Sequence, residues 1–206
     1  PEIIPKPIDW PDNVHIPGYF FLDYSTEWRP PSDLENFLAA GPPPIYIGFG
    51  SMGGQSPEQL AEIVTGALEL SSQRGVLLSG WGGLMPERIT ENVFMAQAIP
   101  HSWLFPRMAA VVHHGGAGTT AEGLRAGIPA VITPFILDQP FWGARIKSLG
   151  LGPAPIPQKR LTAENLAAAI TTAVTDPQIK QRAAKIGEAI RAENGVRDAV
   201  YLVERY

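Results

Sequence analysis

Residues Pro100–Pro140 read PHSWLFPRMAAVVHHGGAGTTAEGLRAGIPAVITPFILDQP, and this stretch decides the fold. Ala109-Ala-Val-Val-His113 is a short apolar run, the composition of a strand buried on both faces. Gly115-Gly-Ala-Gly118 is a tight turn, Thr119 to Ala126 a short helix, and Ala130-Val-Ile-Thr-Pro134 a second buried strand. A loop, Phe135-Ile-Leu-Asp-Gln139, then leads into a helix from Gln139 to Leu149. Strand, helix and strand in this order make a right-handed parallel unit.

The same alternation extends in both directions. Upstream, Ile45 to Gly50, Gly75 to Gly80 and Val93 to Ile99 read as strands, and Ser102 to Met108 as a short helix. Ser56-Pro-Glu-Gln59 starts a helix to Ser71, with Ser as N-cap and Pro57 at the first helical position. Downstream, Ala154-Pro-Ile-Pro157 is a short edge segment, and Thr162-Ala-Glu-Asn165 caps a helix through Val174. Helices over Pro177 to Ala192 and about Val196 to Tyr206 complete the chain. The expected fold is α/β, an open parallel sheet of about six strands with helices on both faces, a Rossmann-like architecture. Residues 1–44 are proline-rich and read as an extended arm or interdomain linker that lies along a surface; residues 45–206 form the folded domain.

Composition narrows the function. Hydrophobic residues make up 45% of the 206, enough for a core, and the net charge is −4 with no basic run. Nucleic acid is therefore not an expected partner. There is no cysteine, which removes disulfide and thiolate chemistry. The histidines His15, His101, His113 and His114 lack metal-ligand spacing, and no Asp-x-Asp pair occurs. A chain that begins Pro-Glu-Ile-Ile reads as a piece of a longer protein.

In an open parallel sheet, ligands sit beyond the carboxyl ends of the strands. The loops Ser51-Met-Gly-Gly, His114-Gly-Gly-Ala-Gly-Thr119 and Phe135 to Gln139 all lie there and should converge. Gly116 and Gly118 let a ligand approach the backbone, and the N–H groups of the following helix favour an anion. His114 can donate to a phosphate, with Thr119 and Thr120 adding hydroxyls; equally, this is a capped turn with structural histidines. His113 points to the opposite face and is read as packing. Glu122 either complements the helix dipole or accepts both ribose hydroxyls. Asp138 and Gln139 either cap a helix or grip neighbouring hexose hydroxyls. Ser51 bonds a phosphate or closes a turn. Trp81 and the Ile99-Pro-His101 loop are candidate walls for a base, Trp81 equally a packing residue.

Gly116-x-Gly118-x-x-Ala121 with Asp138 22 residues beyond Gly116 also fits a dinucleotide fingerprint and keeps an oxidoreductase open. Against it, three strands precede the glycines and Asp138 falls in a loop.

The motifs Ile47-Gly-Phe-Gly-Ser-Met, Pro100-His-x-Trp-Leu-Phe-Pro, Val112-His-His-Gly-Gly-Ala-Gly-Thr-Thr, Ala126-Gly-Ile-Pro and Pro134-Phe-x-x-Asp-Gln-Pro carry a resemblance that covers nearly the whole chain. With Asp9 to Asn13 and Ile16-Pro-Gly-Tyr-Phe-Phe, they resemble the carboxy-terminal, donor-binding domain of GT-B family 1/family 28 glycosyltransferases. The likeness is nearest to sterol 3-beta-glucosyltransferases and bacterial antibiotic glycosyltransferases.

The resemblance implies a UDP-sugar donor, UDP-glucose, and no metal. His114, the glycine turn and Thr119 would take the diphosphate, Ser51 would lie by the phosphates, Glu122 would take the ribose, and Asp138-Gln139 the sugar. Plant members stack uracil on a tryptophan; Ala98-Ile-Pro stands here, so Ile99 and its backbone would meet the base. The implied reaction is inverting transfer of a hexose to a hydroxyl of a sterol or other lipophilic acceptor. The general base and acceptor pocket would belong to a missing amino-terminal domain, which the last helices would brace. The isolated chain would bind donor without turnover, or serve as a non-catalytic subunit with a separate partner chain. A cytoplasmic protein is implied, with any membrane contact made through the missing domain.

Overall fold

A computed structural model describes residues 3–23, 27–49, 56–78 and 90–205. Among them the sheet has five strands: β1 (Ile45–Gly48), β2 (Gly75–Leu78), β3 (Val93–Ala96), β4 (Ala110–His113) and β5 (Ala130–Ile132). All neighbours are parallel, in the order β3-β2-β1-β4-β5. The chain builds outward from β1 in one direction, then returns to β1's other side with β4. Connections therefore diverge between β1 and β4, where Gly48 is in register with His113. This is the crevice in which open parallel sheets bind ligands.

Strand residues alternate between two apolar layers. Ile45, Ile47, Ala110, Val112 and Val131 face a layer built with α2 (Pro57–Leu70) and α6 (Ala163–Thr175). Tyr46, Val111, Ala130 and Ile132 face the other, built with α4 (Ala117–Ala126), α5 (Gln139–Ser148) and α7 (Pro177–Ala192). Also present are α1 (Ser32–Ala39), α3 (His101–Leu104) and α8 (Gly195–Val203). No helix among the described residues is long and apolar enough to cross a membrane.

Two helix starts read from sequence are borne out by their caps. Ser56 Oγ accepts from the Gln59 N–H at 3.2 Å with Pro57 at the first position, and Thr162 forms a reciprocal capping box with Asn165. The helix expected over Ser102 to Met108 is instead a turn of α-helix followed by a 3₁₀ turn, Phe105–Arg107. Pro106 has no N–H for the α-helical ladder, which explains the switch.

Two expectations need correction. The sixth strand is absent among the described residues. Residues 154–157 do run beside β5, where Ile156 N–H donates to Ile132 O at 2.9 Å and Gln158 N–H to Pro134 O at 3.1 Å. Pro155 and Pro157 lack the amide hydrogens that would extend a ladder. The proline-rich arm is also more than an extended surface segment. It contains α1, and Ile3 and Leu34 are fully buried in the second layer. Trp28 packs on Trp103 with ring centroids 5.0 Å apart.

Candidate functional site

The glycine turn joins β4 to α4. Gly115 has φ +92°, a backbone open only to glycine without strain, and a Cβ there would come within 2.7 Å of Ile132 Cγ2. Its N–H donates to His113 Nδ1 at 3.0 Å. His113 is thus the hinge pin of the turn, a role beyond the packing expected of it. The one cue in the sequence is that its imidazole stands two residues before the first glycine. Burial pushes its pKa down to about 3, with the neighbouring His114 and His101 adding to the effect.

α4 starts at Ala117, two residues earlier than the sequence suggested, with Gly116 as a cap that offers no side chain. The first N–H bonded back into the helix is that of Thr120, to Gly116 O at 2.9 Å. Ala117, Gly118 and Thr119 therefore present amides that the helix does not use, at its positive end. A Cβ at Gly118 would meet nothing within 4 Å, so that side of the helix start is open. A Cβ at Gly116 would lie 2.5 Å from His114 Nε2, which rests over the turn. A side chain at Gly116 would therefore displace the imidazole.

His114 is half-buried, and its Nδ1 is enclosed without a partner among the described residues. Burial lowers its pKa, partly opposed by the negative charge of Asp138. Burial thus favours the uncharged imidazole, which can serve as an N–H donor. Asp138 and His114 belong to different loops, and the backbones of these loops approach each other. A Cβ at Gly115 would sit 3.1 Å from Gln139 O. The third loop, with Ser51, and the candidate base wall at Trp81 lie outside the described residues.

Asp138 does not cap α5 through its side chain; its Oδ2 accepts from Trp142 Nε1 at 2.9 Å, and the residue is exposed. Gln139 behaves otherwise than expected. It is 2% exposed, and its Oε1 accepts the N–H groups of Phe135 at 2.7 Å and Ile136 at 3.0 Å. The side-chain carbonyl shapes the loop that carries Asp138, so it is already committed before any sugar arrives.

Ile99 is buried and, with His101, His114 and Thr119, lines a cavity of about 210 Å³. His101 stacks on Phe105 at 4.5 Å, its Nε2 lies 3.1 Å from Tyr46 Oη, and burial lowers its pKa to about 4. It also borders a second cavity of about 430 Å³ that contains Glu122. His101 thus lines both cavities, the first with Ile99, His114 and Thr119 and the second with Glu122. Glu122 is half-buried, and its carboxylate has no ion pair among the described residues. Burial raises its pKa; Arg125 opposes this and Asp23 adds to it.

No group of three or more His, Cys, Asp or Glu among the described residues is placed to hold a metal ion. Positive potential comes from the unused amides at the start of α4 and, at the Glu122 cavity, from Arg125 and Arg191. The glycine turn follows β4, not the opening strand of the sheet, unlike a dinucleotide fingerprint.

Comparison with known proteins gives the family and the fold. The family model for the erythromycin biosynthesis protein CIII-like, C-terminal domain matches residues 84–200. A sterol 3-beta-glucosyltransferase of Arabidopsis thaliana is 44% identical over 208 residues, covering 100% of this chain and 34% of that protein. The O-mycaminosyltylonolide 6-deoxyallosyltransferase of Streptomyces fradiae is 42% identical over 207 residues, covering 100% of this chain and 48% of that enzyme. The chain thus spans about a third to a half of these two curated relatives. Among solved structures, the calicheamicin glycosyltransferase CalG4 superposes with a TM-score of 0.71 at 21% identity, covering 92% of this chain and 48% of that one. The glycosyltransferase VinC, solved in complex with DTDP, gives 0.67 at 23% identity, covering 83% of this chain and 44% of that one. The fold is that of one half of a GT-B glycosyltransferase.

Proposed function

The chain belongs to the erythromycin biosynthesis protein CIII-like carboxy-terminal family of glycosyltransferase domains, and from that premise we propose that it binds a UDP-sugar, UDP-glucose, as the donor half of an inverting hexosyltransferase. The observation that carries this reading is the open start of α4 beside His114, with Glu122 of the same helix lining a neighbouring cavity that shares His101. The diphosphate lies on the amides of Ala117, Gly118 and Thr119, with the His114 N–H and the Thr119 hydroxyl beside it. Uracil lies against Ile99, and the ribose diol donates to Glu122. The hexose meets Asp138, held on the loop that Gln139 shapes.

Bond cleavage at the anomeric carbon moves negative charge onto the β-phosphate. Preorganised N–H donors facing that charge stabilise it, and they do so without a metal ion. The acceptor is a hydroxyl of a sterol or another lipophilic molecule, deprotonated by a base on an amino-terminal domain outside this chain. That domain also holds the acceptor, and α8, with Val200 and Tyr201 exposed, braces it. The sterol relatives support this acceptor class. The chain alone therefore binds donor without transferring it.

Titration calorimetry of the chain with UDP, UDP-glucose and NADH tests the reading. Saturable binding of UDP and UDP-glucose, with none of NADH, is expected. Binding of NADH alone would overturn it.

A further inference from the structure

α4 carries Glu122 and Arg125 three positions apart, the spacing at which a helix brings oppositely charged side chains together. They do not form an ion pair here. Arg125 is instead drawn away by the proline-rich arm. Its Nη1 lies 2.6 Å from Asp23 Oδ1, and its guanidinium carbon sits 4.5 Å over the Phe21 ring. From the other side, Arg191 Nη1 donates to the Arg125 carbonyl at 2.5 Å. Asp23, Glu122, Arg125 and Arg191 border the same cavity.

We propose that Asp23 is a positioning residue of the nucleotide site: it holds Arg125 against the arm and so keeps the Glu122 carboxylate free to accept a vicinal diol. The inference rests on the reading of Glu122 as the ribose acceptor. A carboxylate that takes two hydroxyls needs both oxygens. A guanidinium three residues along the helix would occupy one or both of them with charge-assisted hydrogen bonds. Asp23 offers that guanidinium a competing carboxylate, and Phe21 offers it an aromatic face. The arm thereby becomes part of donor recognition, although it lies far from the glycine turn in sequence.

The experiment titrates the chain, wild type and variants, with UDP and with 2′-deoxyuridine diphosphate. Wild type prefers UDP. Because the Asp23–Arg125 pair is partly exposed, Asp23→Ala lowers the UDP-to-deoxy preference by only about two- to fivefold. The double variant Asp23→Ala/Arg125→Gln restores the preference, because the released guanidinium is gone. An arm that merely stabilises the fold would weaken both nucleotides alike and would not be rescued. An unchanged preference in Asp23→Ala, or no restoration in the double variant, overturns the inference and leaves the donor reading intact. Lack of any ribose preference in the wild type overturns the ribose assignment of Glu122 and this inference with it.

Discussion

The Gly115 N–H points into the strand it has just left and ends on His113 Nδ1 at 3.0 Å. This bond fixes the left-handed turn that exposes the start of α4. It also settles the tautomer: a neutral His113 that accepts at Nδ1 carries its proton on Nε2. His113→Leu replaces the imidazole with an apolar side chain of similar bulk and strands the buried amide. A loss of about 1–3 kcal/mol is expected in urea unfolding. An unchanged midpoint would show that the turn does not depend on this bond.

His114 differs from its neighbour, being half-buried and lining the cavity beside Ile99 and Thr119. His114→Ala should weaken UDP binding by about 1.5–3 kcal/mol, roughly ten- to a hundredfold, the value of a hydrogen bond to a charged group. Its effect on urea stability should be much smaller than that of His113→Leu. Equal binding by the variant in calorimetry would remove His114 from the diphosphate site.

Acid stability follows from the buried imidazoles. His113 and His101 are pushed by burial from 6.5 to about 3 and about 4. In the unfolded chain both take up protons as the pH falls below about 6.5; the folded chain resists until about 4 or lower. Their contribution to stability is therefore complete above about pH 6.5 and is lost as the pH falls through the window below it. Each adds a slope of about 1.4 kcal/mol per pH unit there. Unfolding measured from pH 7 to 5 should show this decline, and His101→Gln should flatten it. A profile flat over that range would contradict the burial of these rings.

Asp138 and Gln139 are adjacent yet should behave differently. Asp138→Asn should leave UDP affinity unchanged and abolish the added affinity of UDP-glucose over UDP. Gln139→Ala frees two loop amides, Phe135 and Ile136, and should lower thermal stability as well as that increment. If Asp138→Asn keeps the full increment, the sugar is held elsewhere.

The parallel sheet was legible because its strands are short apolar runs separated by chemically explicit stops. Ser56-Pro57 and Thr162 with Asn165 announce their helices through local hydrogen bonds that need no tertiary context. What escaped depends on contacts across the chain. α1 was hidden by the prolines around it, although Leu34 is wholly buried against the second layer. The Gln139 amide looks like a ligand group until the loop folds back onto it. Arg125 and Asp23 lie 102 residues apart, and no spacing rule links them. His114, Thr119 and Glu122 could be singled out because a strand, a glycine turn and a helix place them by rules of local geometry. Gly115 was read as the first residue of the tight turn, and its positive φ forms that turn.

The most direct test of the central claim is a crystal structure of this chain with UDP. The β-phosphate is expected within hydrogen-bond distance of His114 and the amides of Ala117 to Thr119, with both ribose hydroxyls on Glu122. Phosphates placed away from the start of α4, with Glu122 untouched, would contradict it.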